Sequence, residues 1–359
     1  MTSQTVLVGT YTEKLPFVDG KAEGIYLYSL NEATGELTYL STGVGPRNPS
    51  YLATDPTNSN VYAVQETEVD DSPAVHALSL TNYNLTPINE QPAHGGLPCH
   101  IIVDATGKYV LSANYETGSI AVYPIRKDGG LDAATTIIQH EGPVTNQKPP
   151  LGPHAHAVVL NAANDRLFVP DLGFDRVLMY FFDSRSGSLT PSDPPFVQLH
   201  VGAGPRHFIF DPQEKYAFAL GETDGTISVF SYRNGMLNPL QTISALPETK
   251  IPSNSAAEIA ITSDGRFVYA SNRGHDNIAC FRFSDGELFA TGHTSTQGHT
   301  PRDFAIDLTG TYLIVGNQDT SNIVTFRINQ TTGALEPTGH EISVPNPVCI
   351  LPLNLKPQH

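Results

Sequence analysis

Short apolar runs of five or six residues, rich in Val, Ile, Tyr and Phe, alternate along the whole chain with clusters of Gly, Pro, Asn, Asp and Ser. Runs of that length bounded by turn residues predict β-strands, because β-branched and aromatic side chains suit a pleated surface and Gly and Pro interrupt it. No segment keeps a helical period over three turns. Even the Ala-rich stretch from Ala155 to Ala163 reads as a strand followed by a turn. The strands recur in a unit. Pro98-Cys-His-Ile-Ile-Val-Asp104, Pro205-Arg-His-Phe-Ile-Phe-Asp211 and Pro301-Arg-Asp-Phe-Ala-Ile-Asp307 are each followed by a polar turn and a second apolar run, beginning near Tyr109, Tyr216 and Tyr312. Weaker copies start at Pro49, His154, Ala256 and Pro347, so the seven anchors are 49, 56, 51, 51, 45 and 46 residues apart.

A spacing near fifty residues, filled by short strands, predicts an all-β, seven-bladed β-propeller. A solenoid of stacked sheets is the alternative. A pair of β-sandwiches fits less well, because the repeat crosses any midpoint. After Pro347 there is room for one strand, around Val348 to Leu351. The N-terminal region supplies runs at Thr5 to Tyr11, Gly24 to Leu30 and near Leu37. One C-terminal strand joining three N-terminal strands completes the seventh blade and closes the ring, with residues 1–359 as one domain. Turns are expected at Asn31–Gly35, Asp183–Gly187 and Asn329–Gly333, and between first and second strands at Asp104–Gly107 and Asp307–Gly310.

Composition narrows the partners. The chain has 20 basic and 36 acidic residues, a formal charge of −16. That argues against non-specific nucleic-acid binding and against docking on an anionic membrane. Three cysteines without CxxC spacing make no disulfide framework. With no basic leader before the apolar run at Val6, the expected location is cytoplasmic. No P-loop, dinucleotide fingerprint or G-x-S-x-G elbow appears, and no cofactor is expected. The oligomeric state is left open.

In a propeller the first strand of each blade lines a central channel. Two residues past each anchor stand Tyr51, His100, His156, His207, Glu258, Asp303 and Cys349. One residue past it stand Ser50, Cys99, Ala155, Arg206, Ala257, Arg302 and Val348. The second strands end at Gln65, Asn114, Asp171, Glu222, Asn272 and Asn317, with Arg273 and Gln318 just beyond. Polar groups repeated at equivalent positions converge on one opening, where a water-filled structural channel or a pocket for an oxygen-rich molecule would satisfy them. Arg206, Arg273 and Arg302 match an anionic ligand, since guanidinium binds carboxylate or phosphate with a fork of donors. The alternative for each is a salt bridge to Asp171 or Glu222. His154 and His156 alternate on a strand, and with His207 and Glu222 they could ligate a metal. A lone His-x-His is weak for that purpose, so no metal is assigned and acid–base or hydrogen-bonding roles are preferred.

Gly9-Thr-Tyr-Thr12, Gly152-Pro-His-Ala-His156, Pro170-Asp-Leu-Gly-x-Asp175, Gly204-Pro-Arg-His207 and Asn272-Arg-Gly-His-Asp-Asn-Ile278 together resemble the seven-bladed propeller lactonase family over essentially the full length. That family holds bacterial cytoplasmic 6-phosphogluconolactonases and fungal carboxy-cis,cis-muconate cyclases. The resemblance implies an enzyme acting on a small anionic lactone, with 6-phospho-D-glucono-1,5-lactone as the expected substrate. Another lactone or a carboxy-muconate is the alternative within the scaffold, and a non-catalytic binding propeller the alternative outside it. It also implies a functional set at His154 or His156, Arg206, Glu222 and Arg273, although Leu-Gly-Glu222 departs from the family's usual Asn-Glu. Glu222 is the expected base with His156 as its partner, against the rival that a histidine alone is the base. His100, His154, His207, Arg302, Asp171, Asn272, Asn317 and Gln318 are the expected substrate-binding residues.

Overall fold

Turn chemistry cuts each repeat into four antiparallel strands. The computed structural model describes residues 3–147, 151–249, 251 and 253–355. In the turn after the strand Pro98–Val103, Asp104 Oδ1 accepts from the amides of Lys108 and Tyr109 at 2.8 Å each, and Gly107 takes φ 67°. The Asp307 turn repeats this geometry, with Gly310 at φ 72°. An acceptor at that position fixes the reversal where a left-handed residue is needed. The expected turns at Gly35, Gly187 and Gly333 join the third strand of a blade to its outer strand, each glycine at positive φ.

The result is seven four-stranded sheets. The first six begin at Leu52, Pro98, Val159, Pro205, Ser255 and Pro301. The seventh orders Pro347–Leu353, Ser3–Thr10, Ile25–Asn31 and Leu37–Gly43, so a C-terminal strand joins three N-terminal ones and closes the ring. Thr5 lies opposite Leu353 and Gly9 opposite Cys349. A two-stranded hairpin, Lys14–Leu15 with Val18–Asp19, interrupts this blade. The repeat gave no hint of it.

The apolar core lies between the blades. Phe218, Leu220 and Val229 of the fourth blade pack on Ile259, Val268 and Phe281 of the fifth. Leu111 and Val122 of the second pack on Leu167 and Val169 of the third. Val8 and Tyr28 of the seventh pack on Ile314 and Ile323 of the sixth. Because burial is satisfied sideways, the axis is left to polar groups.

One register differs from expectation. The third blade is anchored by Ala155, opposite Asp171, and not by His154. Ala155 stands where other blades carry Pro, which hid the correct frame by one residue. Five blades also carry a bulge just past the anchor: Pro98 and His100 face Asn114 and Ala113, and the same slip follows Pro205, Ala256, Pro301 and Pro347. The third blade has one extra residue too, since Ala155 faces Asp171 while Val159 faces Phe168. A bulged residue leaves the ladder and its side chain is re-aimed. The bulge positions are therefore Cys99, His156, Arg206, Ala257, Arg302 and Val348, and His156 belongs to the ring of Arg206 and not to that of His207.

Candidate active site

The second strands deliver the other half of the mouth. The amides of Glu66, Tyr115, Glu222 and Gln318 each bond to the carbonyl of the residue preceding the neighbouring anchor, namely Asn48, Leu97, Gly204 and Thr300. That makes them blade equivalents. Leu172 and Tyr11 bond to His154 and Asn346 in the same way, and Arg273, one past Asn272 opposite Ala256, completes the seven. Glu222 thus stands one place beyond the asparagine ring to which the sequence pattern assigned it. Gly221, opposite Pro205, occupies the asparagine's place.

These two rings enclose a cavity of about 560 Å³. His156, Cys99, Glu66, Tyr115, Glu222, Arg273, Arg302 and Gln318 line it, with Phe17 from the hairpin tip and Glu68, Glu116 and Asp319 toward the rim. The volume suits a small-molecule site.

Glu222 is gripped by two guanidiniums. Its Oε2 lies 3.2 Å from Arg273 Nη2 and 3.4 Å from Arg206 Nε. Arg273 also donates to Ser255 Oγ at 2.6 Å, Ala256 O at 3.0 Å and Ser255 O at 3.2 Å. Burial pulls its pKa down to about 10 against the pull of Glu222, which leaves it charged at neutral pH. Arg206 is 3% exposed and sits behind Glu222, with Nη1 on Ala257 O at 2.5 Å. On the opposite wall, the Arg302 guanidinium lies 5.4 Å from the Tyr11 ring and 5.8 Å from the Phe17 ring. Burial opposes its charge, but Tyr11 and Glu66 hold it protonated. Glu66 accepts from Tyr11 Oη at 2.9 Å and from Ser50 Oγ, and is 3.8 Å from Arg302 Nη2.

His156 completes the set. Burial, reinforced by Arg206, His207, Arg302 and Arg273, pushes its pKa well below the usual value. The imidazole is therefore neutral at neutral pH and carries a basic nitrogen. Its Nδ1 lies 3.8 Å from Cys99 Sγ, and burial pushes the Cys99 thiol up, so that sulfur stays protonated.

The remaining expected site residues take other places. His154 stacks on Tyr115, with ring centroids 4.7 Å apart, and its Nδ1 meets Tyr115 O at 2.8 Å. Asp171 pairs with His140 Nδ1 at 2.7 Å and accepts from the amides of His154, Gly173 and Phe174. Asn272 and Asn317 donate to Ala245 O and Thr296 O, tying each blade to the strand before it. All four hold the mouth's backbone and do not line the cavity. His100 and His207 lie lower, in the channel's waist. Among the described residues no group of three or more His, Cys, Asp or Glu is placed to hold a metal ion, and no helix is long and apolar enough to cross a membrane.

The pattern missed Glu66, Tyr115 and Phe17. Glu66 was one step from Gln65, which the repeat had selected. Phe17 lies in an insertion and carried no signal.

The arrangement combines a neutral imidazole, fixed cations and a carboxylate around one cavity, as acyl transfer to water requires. Comparison with known proteins agrees with that chemistry. Residues 5–352 match the family described as "Lactonase, 7-bladed beta-propeller". The chain is 34% identical to the 6-phosphogluconolactonase of Bacillus subtilis over 98% of both chains. It is 32% identical to that of Formosa agariphila, over 94% of this chain and 96% of the other. The periplasmic gluconolactonase PpgL of Pseudomonas aeruginosa superposes with a TM-score of 0.91 at 29% identity, covering 99% of this chain and all of that one. The chain belongs to the seven-bladed β-propeller lactonases, enzymes that hydrolyse lactones.

Proposed function

We propose that the protein hydrolyses a sugar lactone, with 6-phospho-D-glucono-1,5-lactone as substrate. The observation that carries this reading is the single cavity in which His156, Glu222, Arg273 and Arg302 meet. The roles divide differently from the expectation that Glu222 is the base. Glu222 is committed to two guanidiniums, whereas His156 is unprotonated at neutral pH. In this reading His156 takes a proton from water as the oxygen attacks the lactone carbonyl. Arg273, oriented by Glu222, stabilises the oxyanion. Arg302 holds the phosphate. Gln318 Oε1, a buried acceptor with no partner among the described residues, receives a sugar hydroxyl. The ring oxygen leaves as an alkoxide and regains a proton from His156.

One observation favours a second reading, an unphosphorylated aldonolactone. Glu66, Glu68, Glu116, Glu222 and Asp319 share the cavity with only two arginines on its wall. That excess of carboxylates opposes a dianion. Turnover of freshly made 6-phosphogluconolactone and gluconolactone, each measured above spontaneous hydrolysis, separates the readings. A kcat/KM at least tenfold higher for the phosphorylated lactone supports the first; the reverse ratio supports the second.

A further inference from the structure

Below the active site the channel narrows to a waist built from the next position of each blade: Tyr51, His100, Ala157, His207, Glu258, Asp303 and Cys349. Beyond it lies a second cavity of about 530 Å³ at the opposite ends of the same inner strands. Its floor is Tyr51, His100, His207 and Glu258, and its walls are apolar, including Ile102, Leu160 and Phe210. None of the chemistry above uses these waist groups.

Their bonding has a direction. The His207 ring lies 5.4 Å from that of His156, centroid to centroid. Ala157, the smallest member of the waist, stands beside them and leaves the two imidazoles in contact. His207 Nδ1 is 2.7 Å from Glu258 Oε2, a close approach without hydrogen-bond alignment, so that Glu258 Oε2 and His207 Nε2 are both buried with no hydrogen-bond partner among the described residues. Glu258 is hydrogen-bonded to Asp303. Two carboxyl groups can bond to each other only if one carries a proton. The other groups facing the pair are Arg206, Tyr51 and Cys349. Asp303 Oδ2 accepts from the Ile350 amide at 2.8 Å and Glu258 Oε1 from the Ile259 amide at 2.9 Å. A file of neighbouring titratable side chains thus runs from the upper cavity, where His156 is on the wall, to the lower one, where His207 and Glu258 are on the floor.

Lactone hydrolysis at neutral pH releases a proton. Water's hydroxyl joins the carbonyl carbon, the acyl–oxygen bond of the ring breaks, and the ring oxygen keeps one hydrogen as an alcohol. The carboxylic acid so formed then ionises, leaving carboxylate, alcohol and one proton. Resting on the lactonase reading, we propose that the new carboxylic acid passes this proton to His156, neutral again after protonating the ring oxygen, and that it leaves through the waist, from His156 to His207 to the Glu258–Asp303 pair, and reaches solvent through the lower cavity. His207 receives it at Nε2 and releases one from Nδ1 to Glu258. The shared proton moves on as the new one arrives, so the pair ends each turnover as it began. The anionic product departs by the upper mouth and the proton by the lower.

The test uses the full chain and Glu258→Gln, which keeps the side chain's shape but cannot relay a proton in the same way. Initial rates on freshly made lactone are measured over a range of imidazole buffer. The expected result is a kcat about tenfold below wild type in dilute buffer, an unchanged KM, and recovery as imidazole rises, since the buffer can serve the waist from the lower cavity. Wild type should be indifferent to imidazole. A kcat equal to wild type in dilute buffer, or a loss that imidazole does not restore, overturns the conduit. If Glu258→Gln does not fold, carbon NMR of carboxyl-labelled wild type decides. One of the two carboxyls should be protonated at neutral pH, and two ionised carboxylates would overturn the proposal. A wild type that opens no lactone refutes the activity and the conduit together, while the NMR result would still report on the shared proton.

Discussion

Arg206 stands directly behind Glu222. Its Nε is 3.4 Å from Glu222 Oε2, yet only Glu222 reaches the cavity. Arg273 approaches the same oxygen from the cavity side at 3.2 Å. The two arginines come from different positions of the repeat, a first-strand bulge and a second-strand end, and flank the carboxylate from behind and from the cavity wall.

Arg206→Ala removes one partner of a buried ion pair, which costs about 3–5 kcal/mol of stability. It should lower Tm and kcat while KM stays within about threefold. Arg273→Ala should lower kcat/KM roughly 30- to 1,000-fold with a smaller loss of Tm. Thermal unfolding and steady-state kinetics on both variants check this. Equal Tm losses and equal KM effects would contradict the front-and-back arrangement.

His156 must be neutral to act as base, and its pKa lies below the ordinary value. Activity should therefore be flat through neutral pH and fall on the acid side only, beneath the usual histidine range of about 6.5. His156→Asn should cut kcat about a hundredfold and erase that acid limb. Glu222→Gln should lower activity but keep the limb. A pH profile in which Glu222→Gln loses the limb would return the role of base to the carboxylate.

Stability should fall in the same window. Burial keeps His100, His156 and His207 unprotonated, while the unfolded chain protonates all three as pH drops through about 6.5. The Glu258–Asp303 pair works the other way, holding at least one proton that the unfolded chain releases above about pH 4.5. His76 is shifted down and His299 up, and these two offset each other. With one or both of these carboxyls protonated, the unfolded state binds one or two more protons just below the histidine range, so stability rises with pH there at roughly 1.4–2.7 kcal/mol per unit. Denaturant unfolding at several pH values measures the slope. A flat or opposite slope would mean that the waist histidines are charged in the folded protein.

Phe17 sits half-exposed at the tip of the hairpin, edge-on to Tyr11 at 5.8 Å between centroids. In the sugar-lactone reading it covers the apolar face of the ring. Phe17→Ala should raise KM about three- to tenfold, in line with an aromatic contact of roughly 1 kcal/mol, with kcat and Tm little changed. An effect confined to kcat would remove Phe17 from substrate binding.

The repeat made the blade count, the strand order within a blade and the ring closure legible, because each follows from apolar spacing and turn residues. It also pointed to the channel mouth. It could not show the bulges, since an extra residue is defined only by what lies across the strand. That is why Ala155 passed for a bulge residue and His156 for a waist residue. Composition could not separate Asn272 and Asn317, which clasp backbone, from Arg273 and Gln318 one step on. At the end of a strand, a single residue decides whether a side chain looks sideways into the next blade or inward.

Closure by the strand Pro347–Leu353 ties the protein's assembly to the order of its synthesis. Every other blade can form as it emerges from the ribosome. The strand Ser3–Thr10 precedes the other blades in the chain and must wait with one edge bare until the strand that pairs with it is translated. During that interval Val8 lacks its neighbour Ile350, and Tyr11 lacks Val348. That bare edge is open to mispairing or capture by a chaperone until Pro347–Leu353 emerges. A premature stop in the last blade would remove the ring's seal and the waist residue Cys349 in one event.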